Sequence, residues 1–257
     1  MIVVRHPRFG RFLPTVWFPE HDGQLWQVSM VFRVRGAAVP IVSVLPKDYV
    51  LLHESEQETL ITNLSDSEQK IFGAFNETTR YEIRRAQRLL QEDTRYTISS
   101  PGQWSNLQKK LLCDFLTRKQ LEPWVAAHGL DNFYLTPFFV TSSVDFQQSS
   151  LIVHTYIADE EAGIVWLYWS ASPVDAAVER RLIGWLNRLL HWRDMLWFRE
   201  NGFVTYDWGG AGISPDVVNI TRFKMGFGGT PIKRYFGLVA HRWIAPFVRM
   251  ILPYTRR

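Results

Sequence analysis

The segment SLIVHTYIADEEAGIVWLYWSAS, residues 150–172, constrains the fold more than any other part of the chain. Two β-rich arms flank a polar turn at Asp159–Gly163, which is the pattern of a hairpin. A helix follows at once, over roughly 173–200. Ser172 stands at the N-cap, Pro173 in the first turn and Asp175 three residues after the cap. Val178, Leu182, Trp185, Leu189, Trp192 and Leu196 recur at helical spacing, and Gly202 ends the run. The apolar stretch Phe203–Tyr206 then reads as a strand. TRYTIS and NFYLTPFFVTS upstream and PIKRYFGLVA downstream also read as strands, and GQWSNLQKKLLCDFLTRK as a helix. The second two-thirds of the chain is therefore β-α-β-β-β-α-β-loop-β. The fold class is α/β (α+β), a mixed sheet flanked by helices.

Residues 1–60 are strand-like. LWQVSMVFRVRG alternates in part, and VPIVSVLP and DYVLLHE are short β-rich runs. SDSEQKIFGAF and TTRYEIRRAQRLLQED then carry capping-box patterns, Ser65 with Glu68 and Thr79 with Glu82. The second of these reads as a helix. At the other end, HRWIAPFVRMILPYTRR mixes apolar residues with Arg242, Arg249, Arg256 and Arg257. This basic amphipathic tail is too short and too charged to span a membrane. It either lies on an anionic lipid surface or packs on the core.

With 257 residues the chain suffices for one large domain or two small ones. Hydrophobic residues make up 46% and charged residues 21%, which argues against wholesale disorder. The net charge of +4 suits an anionic ligand such as a phosphate, a nucleic acid or a lipid surface. Cys113 is the single cysteine, so no intramolecular disulfide can form, which fits a reducing compartment. It lies in an apolar-periodic stretch and reads as a small core residue. The start of the chain lacks a signal-peptide core, and no run approaches the ~20 apolar residues of a membrane span. The expected place is the cytoplasm, with the tail as a peripheral contact at the inner membrane face.

Candidate functional residues fall in four places. Arg80, Arg84 and Arg88 recur at i, i+4, i+8 on one helix face, with Arg85 beside them. Stacked like charges repel by a few tenths of a kcal/mol per pair, and a bound phosphate would relieve that; a solvated helix face is the plainer reading. Ser172, at a helix N-terminus after a strand, offers N–H groups to an anion, though Asp175 opposes one placed close. His154 and Tyr156 share one face of a hairpin arm, and Tyr168 and Ser170 one face of the other, so the four could line a cleft. A strand histidine is more often structural, and His191 inside the helix reads as structural.

The fourth place is the stretch FVTYDWGGAGISPDVVNITRFKMGFGG, residues 203–229. Gly209 and Gly210 after a strand allow a sharp turn. Lys224 follows a short helical turn. It can offset a developing oxyanion or a phosphate, while Asp207 could accept a proton from an attacking amine. Equally, Asp207 and Lys224 form a structural ion pair that pins the loop. No His/Cys/Asp/Glu cluster has metal-ligand spacing, and no G-x-S-x-G, Walker or G-x-G-x-x-G motif is present. The basic residues are spread out and no RRM, KH or OB pattern interleaves them with aromatics, which weighs against an RNA-binding protein.

The stretch GFVTYDWGG…NITRFKMGFGG resembles the segment that closes the FemAB-like branch of the GNAT acyltransferase superfamily, a strand ending Tyr-Asp-x-Gly-Gly followed by Phe-Lys-x-x-Phe-Gly. TRYEIRRAQR resembles that branch's Arg-rich helix, LIVHTYIAD…VWLYWSAS its central hairpin, and NRLLHWRDMLWFRENG the helix after it. The resemblance runs over about residues 78–240. It implies a GNAT-like fold and transfer of an acyl or aminoacyl group onto an amine, in cell-envelope polysaccharide or peptidoglycan precursor synthesis. It implies no tightly bound cofactor, acyl-CoA or aminoacyl-tRNA as co-substrate, an amine-bearing sugar or peptide precursor as acceptor, and no DNA partner.

By the same resemblance Lys224 with Phe223 stabilises the tetrahedral intermediate or holds the donor. Arg80 touches a phosphate of the donor or of a nucleotide-linked acceptor, and from the residues themselves Arg84 and Ser172 are further candidates to hold that phosphate. From their own placement on and after the strands, not from the resemblance, His154, Tyr156, Tyr168, Tyr206, Gly209 and Gly210 are the candidate substrate cleft. The expected division is a β-rich segment at 1–75, outside the resemblance and either a remnant of a first domain or an acceptor platform, a GNAT-like domain at 76–240 and the tail at 241–257. Two departures stand out. The strand–helix junction reads SASPVDAA, where ordinary GNAT enzymes carry Arg/Gln-x-x-Gly-x-Gly/Ala. The chain is also too short for two complete GNAT domains. The rival reading is a non-catalytic GNAT-like domain that binds a nucleotide-sugar or a partner enzyme.

Overall fold

The structure is a computed structural model that describes residues 2–8, 11–17, 31–119, 139–173, 180–211 and 218–251. The chain divides into two compact units, one of Met1–Thr59 with Ile232–Arg257 and one of Leu60–Pro231. Two strands, β4 (Tyr49–Asn63) and β10 (Thr230–His241), run from one unit into the other.

In the first unit β1 (Ile2–Arg8) and β2 (Arg11–Trp17) form an antiparallel hairpin. Strand β3 (Val31–Ala37) pairs in parallel with β2 and antiparallel with β10, so the order is β1-β2-β3-β10-β4. A small core of Val34, Ala37, Ile41 and Val239 holds this sheet. Gly237 of β10 is needed there, because a Cβ would stand 2.6 Å from Ile41 Cδ1 and 2.7 Å from the His53 carbonyl oxygen. The run VPIVSVLP does not form a strand. Residues Ile41–Val44 make a 3-10 turn, and the Ile41 N–H donates to the Glu54 carboxylate at 2.6 Å. Pro40 and Pro46 bracket the run and contribute no N–H to a ladder.

The second unit is layered. Its strands are β5 (Tyr96–Gly102), β6 (Phe139–Phe146), β7 (Ser149–Asp159), β8 (Ile164–Ala171) and β9 (Thr205–Ala211), with the end of β4 beside β9. All of β7 after its first residue is buried, as befits a central strand covered on both faces. Helix α3 (Asn106–Arg118) covers one face; its Gln108 amide accepts from Thr141 Oγ1 at 2.8 Å and donates to Ser143 Oγ at 3.1 Å. On the opposite face lie α1 (Glu68–Ala74), α2 (Glu77–Glu92) and the long α4 (Arg180–Glu200). Their core includes Ile83, Ala86, Leu186, Leu189, Met195 and Phe198, all fully buried.

Both expected capping boxes give way to neighbouring caps. Ser67, not Ser65, caps α1 through the Lys70 N–H, while the Ser65 N–H is taken by Asn63 Oδ1 at 3.0 Å. Asn76 caps α2 through the Thr79 N–H at 2.8 Å, which places Thr79 inside the helix. Glu82 instead pairs with Arg188 of α4 at 2.9 Å. The start of the long helix, Asp175 and Val178 included, lies outside the described residues, as does NFYLTP of the run before β6.

Candidate functional site

Strands β8 and β9 pair in parallel from Ile164 with Thr205 to Trp166 with Asp207. Both continue, to Ala171 and Ala211, without further registered pairs. Parallel strands that part before they end open a mouth at their carboxyl ends, the usual ligand position in such sheets. Gly209 stands at this parting with φ 68°. A Cβ there would lie 2.7 Å from the Leu167 carbonyl oxygen and 2.9 Å from Trp166 Nε1, so only glycine lets the strands approach and then diverge.

Helix α5 (Val218–Met225) brings Lys224 to the same point. Its Nζ donates to the carbonyls of Gly209 at 3.2 Å and Gly210 at 2.9 Å. Burial lowers its pKa from 10.5 to about 8, while the nearby Asp207 carboxylate acts in the other direction. An ammonium has three N–H donors, so these two bonds leave one for another group. Asp207 is fully buried and its Oδ1 accepts the Gly209 N–H at 2.9 Å. The Phe223 ring lies 5.6 Å from His191 and 4.6 Å from the Arg188 guanidinium. The second glycine cluster has a packing role. Gly226 accepts from the Asn76 N–H at 2.9 Å, and a Cβ at Gly228 would strike the Ala74 carbonyl.

Under α4 lies a buried polar network. Asp194 Oδ2 accepts from Ser142 Oγ at 2.7 Å and Tyr156 Oη at 2.5 Å, and meets His154 Nδ1 at 2.9 Å. The Tyr156 proton is thus committed, so the Tyr206 hydroxyl, 3.1 Å away, donates to Tyr156. Tyr206 in turn accepts from His191 Nδ1–H at 2.9 Å. Burial first, then His154, Lys224 and Arg188, push the His191 pKa well below its usual value, so its ring is neutral and Nε2 carries the lone pair. The two imidazoles stack with centroids 3.9 Å apart. His154 Nε2 reaches Asn187 Oδ1 at 2.6 Å, and Ser170 Oγ donates to the same oxygen at 3.4 Å. Burial also raises the pKa of Tyr156 and Tyr206 well above 10, so both remain hydroxyl donors.

The expected site residues divide accordingly. Lys224, Asp207, Phe223, Gly209 and Gly210 gather at the parting of β8 and β9. His154, Tyr156 and Tyr206 share one interior network and are fully buried. Tyr168 does not share a face with Ser170. A bulge between Thr155 and Tyr156 pairs Ser170 with His154 but Leu167 with Tyr156, and Tyr168 turns to pack on Phe139 at 5.7 Å. Arg80 caps α1, its Nη1 donating to the carbonyls of Gly73 at 2.9 Å and Phe75 at 2.5 Å. Arg84 is exposed, 5.5 Å from the Phe72 ring centre, and Arg85 stacks on Trp185 at 4.0 Å. The Ser172 carbonyl accepts from Arg118 Nη2 at 3.1 Å. Sequence reasoning missed Asn187 and Asp194 and set His191 aside as structural. Their i, i+4, i+7 spacing places a polar stripe on the buried face of α4, a legible signal for an interior network.

A mixed sheet with helices on both faces, a hairpin feeding a long helix, and parallel strands parting at their carboxyl ends define a GNAT-like fold. The solved structure of FemX shares it, with a TM-score of 0.61 and 11% identity over 96% of this chain and 85% of that one. L-PGS from Bacillus licheniformis is similar at a TM-score of 0.45 and 14% identity, over 86% of this chain and 71% of that one. A tandem GNAT protein from the clavulanic acid biosynthesis pathway is similar at 0.44 and 6%, over 82% and 64%. No protein-family model matches the sequence, and no curated protein matches it. Among the described residues no group of three His, Cys, Asp or Glu is placed to hold a metal ion.

Proposed function

We propose that this protein transfers an acyl or aminoacyl group from an activated donor onto an amine. The carrying observation is Lys224, a buried ammonium tied to the carbonyls of Gly209 and Gly210 where two parallel strands part, with a donor to spare. The FemX-like fold supports the reading. The reaction joins the amine nitrogen to the carbonyl carbon of a thioester or ester. Negative charge gathers on the carbonyl oxygen, and the remaining Lys224 N–H offsets it in a site where water does not screen it. When the tetrahedral species collapses, the C–S or C–O bond breaks. The proton lost by the amine balances the thiolate or alkoxide that leaves.

Asp207 fixes the Gly209 turn and favours the charged form of Lys224. Phe223 and the neutral His191 form the apolar wall that keeps this charge pair dry. Exposed Arg84 is the arginine that would meet a donor phosphate, while Arg80 holds the end of α1 that positions it. The acceptor class we favour is an amino sugar or peptide precursor of the cell envelope. The test follows label from acetyl-CoA, and separately from charged tRNA, onto amino-sugar and short-peptide acceptors. One donor class should yield product, and Lys224→Ala should lower its rate roughly 10²–10³-fold, the scale of one oxyanion donor. A variant rate close to wild type would remove Lys224 from the chemistry. No product from either donor class would overturn the transferase reading.

A further inference from the structure

Helix α6 (Ala245–Ile251) and the turn before it present an outer face unlike that of a solvated helix. Trp243 is 61% exposed, Phe247 63% and Met250 66%, and their spacing of i, i+4, i+7 sets them on one side. The inner side is already satisfied. Ala245 is buried, Ile244 and Val248 are half-buried, and the Arg242 N–H donates to the Asp48 carbonyl at 2.8 Å. Trp243 meets the His241 ring edge-on at 5.9 Å, but most of its surface and of Phe247 and Met250 remains in solvent, and solvated helices rarely place such residues together.

Two arginines border them. Arg242 and Arg249 flank the apolar face, are exposed, and take part in no ion pair among the described residues. Asp216 is the last acidic residue of the sequence. After it, within the unit that carries α6, come Lys233, Arg234, Arg242, Arg249, Arg256 and Arg257, of which Arg234 is buried. Lys233 is matched by Glu56 at 2.9 Å; Asp48, whose carbonyl holds the Arg242 N–H, is the acid beside this turn, and among the described residues its carboxylate forms no ion pair with Arg242 or Arg249. An indole, a phenyl and a thioether beside unpaired guanidinium groups complement one surface in particular, a bilayer boundary with anionic headgroups. A nucleic acid would use the arginines and leave Phe247 and Met250 without a role. No helix among the described residues is long and apolar enough to cross a membrane, so the contact is peripheral.

We infer that Trp243, Phe247 and Met250 dock this protein onto an anionic lipid surface, with Arg242 and Arg249 pairing to phosphate headgroups. The inference does not rest on the transferase reading. It is tested by co-sedimentation with vesicles of phosphatidylcholine alone and of phosphatidylcholine with about one-third phosphatidylglycerol, at low and physiological salt. The full chain should bind the anionic vesicles at least tenfold more tightly than the neutral ones. Trp243→Ser/Phe247→Ser/Met250→Ser should lose about tenfold or more at either salt concentration. Arg242→Gln/Arg249→Gln should lose roughly fivefold per charge, chiefly at low salt. Lipids brominated at the upper acyl chain should quench fluorescence that the Trp243→Ser protein lacks. All five side chains are exposed, so the variants should keep the wild-type circular dichroism. Unchanged vesicle binding by the triple variant would overturn the proposal. So would binding that free tRNA competes away from all variants alike, which would mark a nucleic-acid surface instead.

Discussion

Lys224→Met is the most informative single substitution, because the wild-type side chain pays for its position in a pH-dependent way. Its pKa falls from 10.5 to about 8 on folding, and burial is the main cause. At 1.36 kcal/mol per pKa unit the buried charge costs about 3 kcal/mol near neutral pH. The unfolded chain keeps the proton up to its own pKa of 10.5, whereas the folded chain gives it up near 8. Between those values the unfolded state binds more protons, so stability rises with pH. The penalty is complete below about pH 8 and has largely gone above about pH 10.5. Methionine fills similar volume and carries no charge, so the variant lacks this dependence.

From about pH 7 to about pH 10 the wild type should therefore gain about 2–3 kcal/mol on Lys224→Met. Tyr156 and Tyr206, whose pKa values also shift, are common to both proteins and cancel in the difference. Urea titrations at several pH values measure it. With a slope of about 2 kcal/mol per molar urea, the two midpoints should move relative to each other by roughly 1 M. A difference that stays flat would mean Lys224 is not desolvated. A difference that falls with pH would mean Asp207 stabilises the charge more than burial penalises it. Either result would refute the reasoning that makes Lys224 a dry cation.

Two further substitutions test the surrounding structure. Asp194→Ala removes the oxygen shared by Ser142, His154 and Tyr156, and should cost about 3–5 kcal/mol by thermal or urea unfolding, with Asp194→Asn costing less. Gly209→Ala places a Cβ against the Leu167 carbonyl at a φ of 68°. It should lower stability by about 1–3 kcal/mol and weaken any donor binding by calorimetry, because it displaces the carbonyl that holds Lys224.

The sequence by itself determined the elements whose cause is local. The β7–β8 hairpin, the body of α4 and its end at Gly202 follow from alternation, helical spacing and turn residues that act within a few positions, whereas the strand expected at Phe203–Tyr206 instead runs from Thr205 to Ala211, through the glycines read as a loop, because it is fixed by pairing with β8. Local signals also misled by small margins. Ser65 and Thr79 each had an acidic residue at capping-box spacing, but Ser67 and Asn76 are the residues with extended backbone whose side chains accept free N–H groups of the first turn. The bulge that turns Tyr168 away from Ser170 is set by pairing with β7, and alternation along β8 alone does not reveal it.

Tertiary structure decided the rest. Asn187, His191 and Asp194 look like ordinary polar residues of a helix until α4 is laid on the sheet. Their partners, Ser142, His154, Tyr156, Ser170 and Tyr206, come from four different strands. Lys224 and the Gly209–Gly210 carbonyls are fourteen and fifteen residues apart, and only the return of α5 to the parting of β8 and β9 joins them. Backbone propensity decays over one or two helical turns, whereas desolvation and hydrogen bonding depend on what the closed chain brings near. Residue types and their order therefore pointed to this region, while the charge state and partners of each group had to wait for the fold.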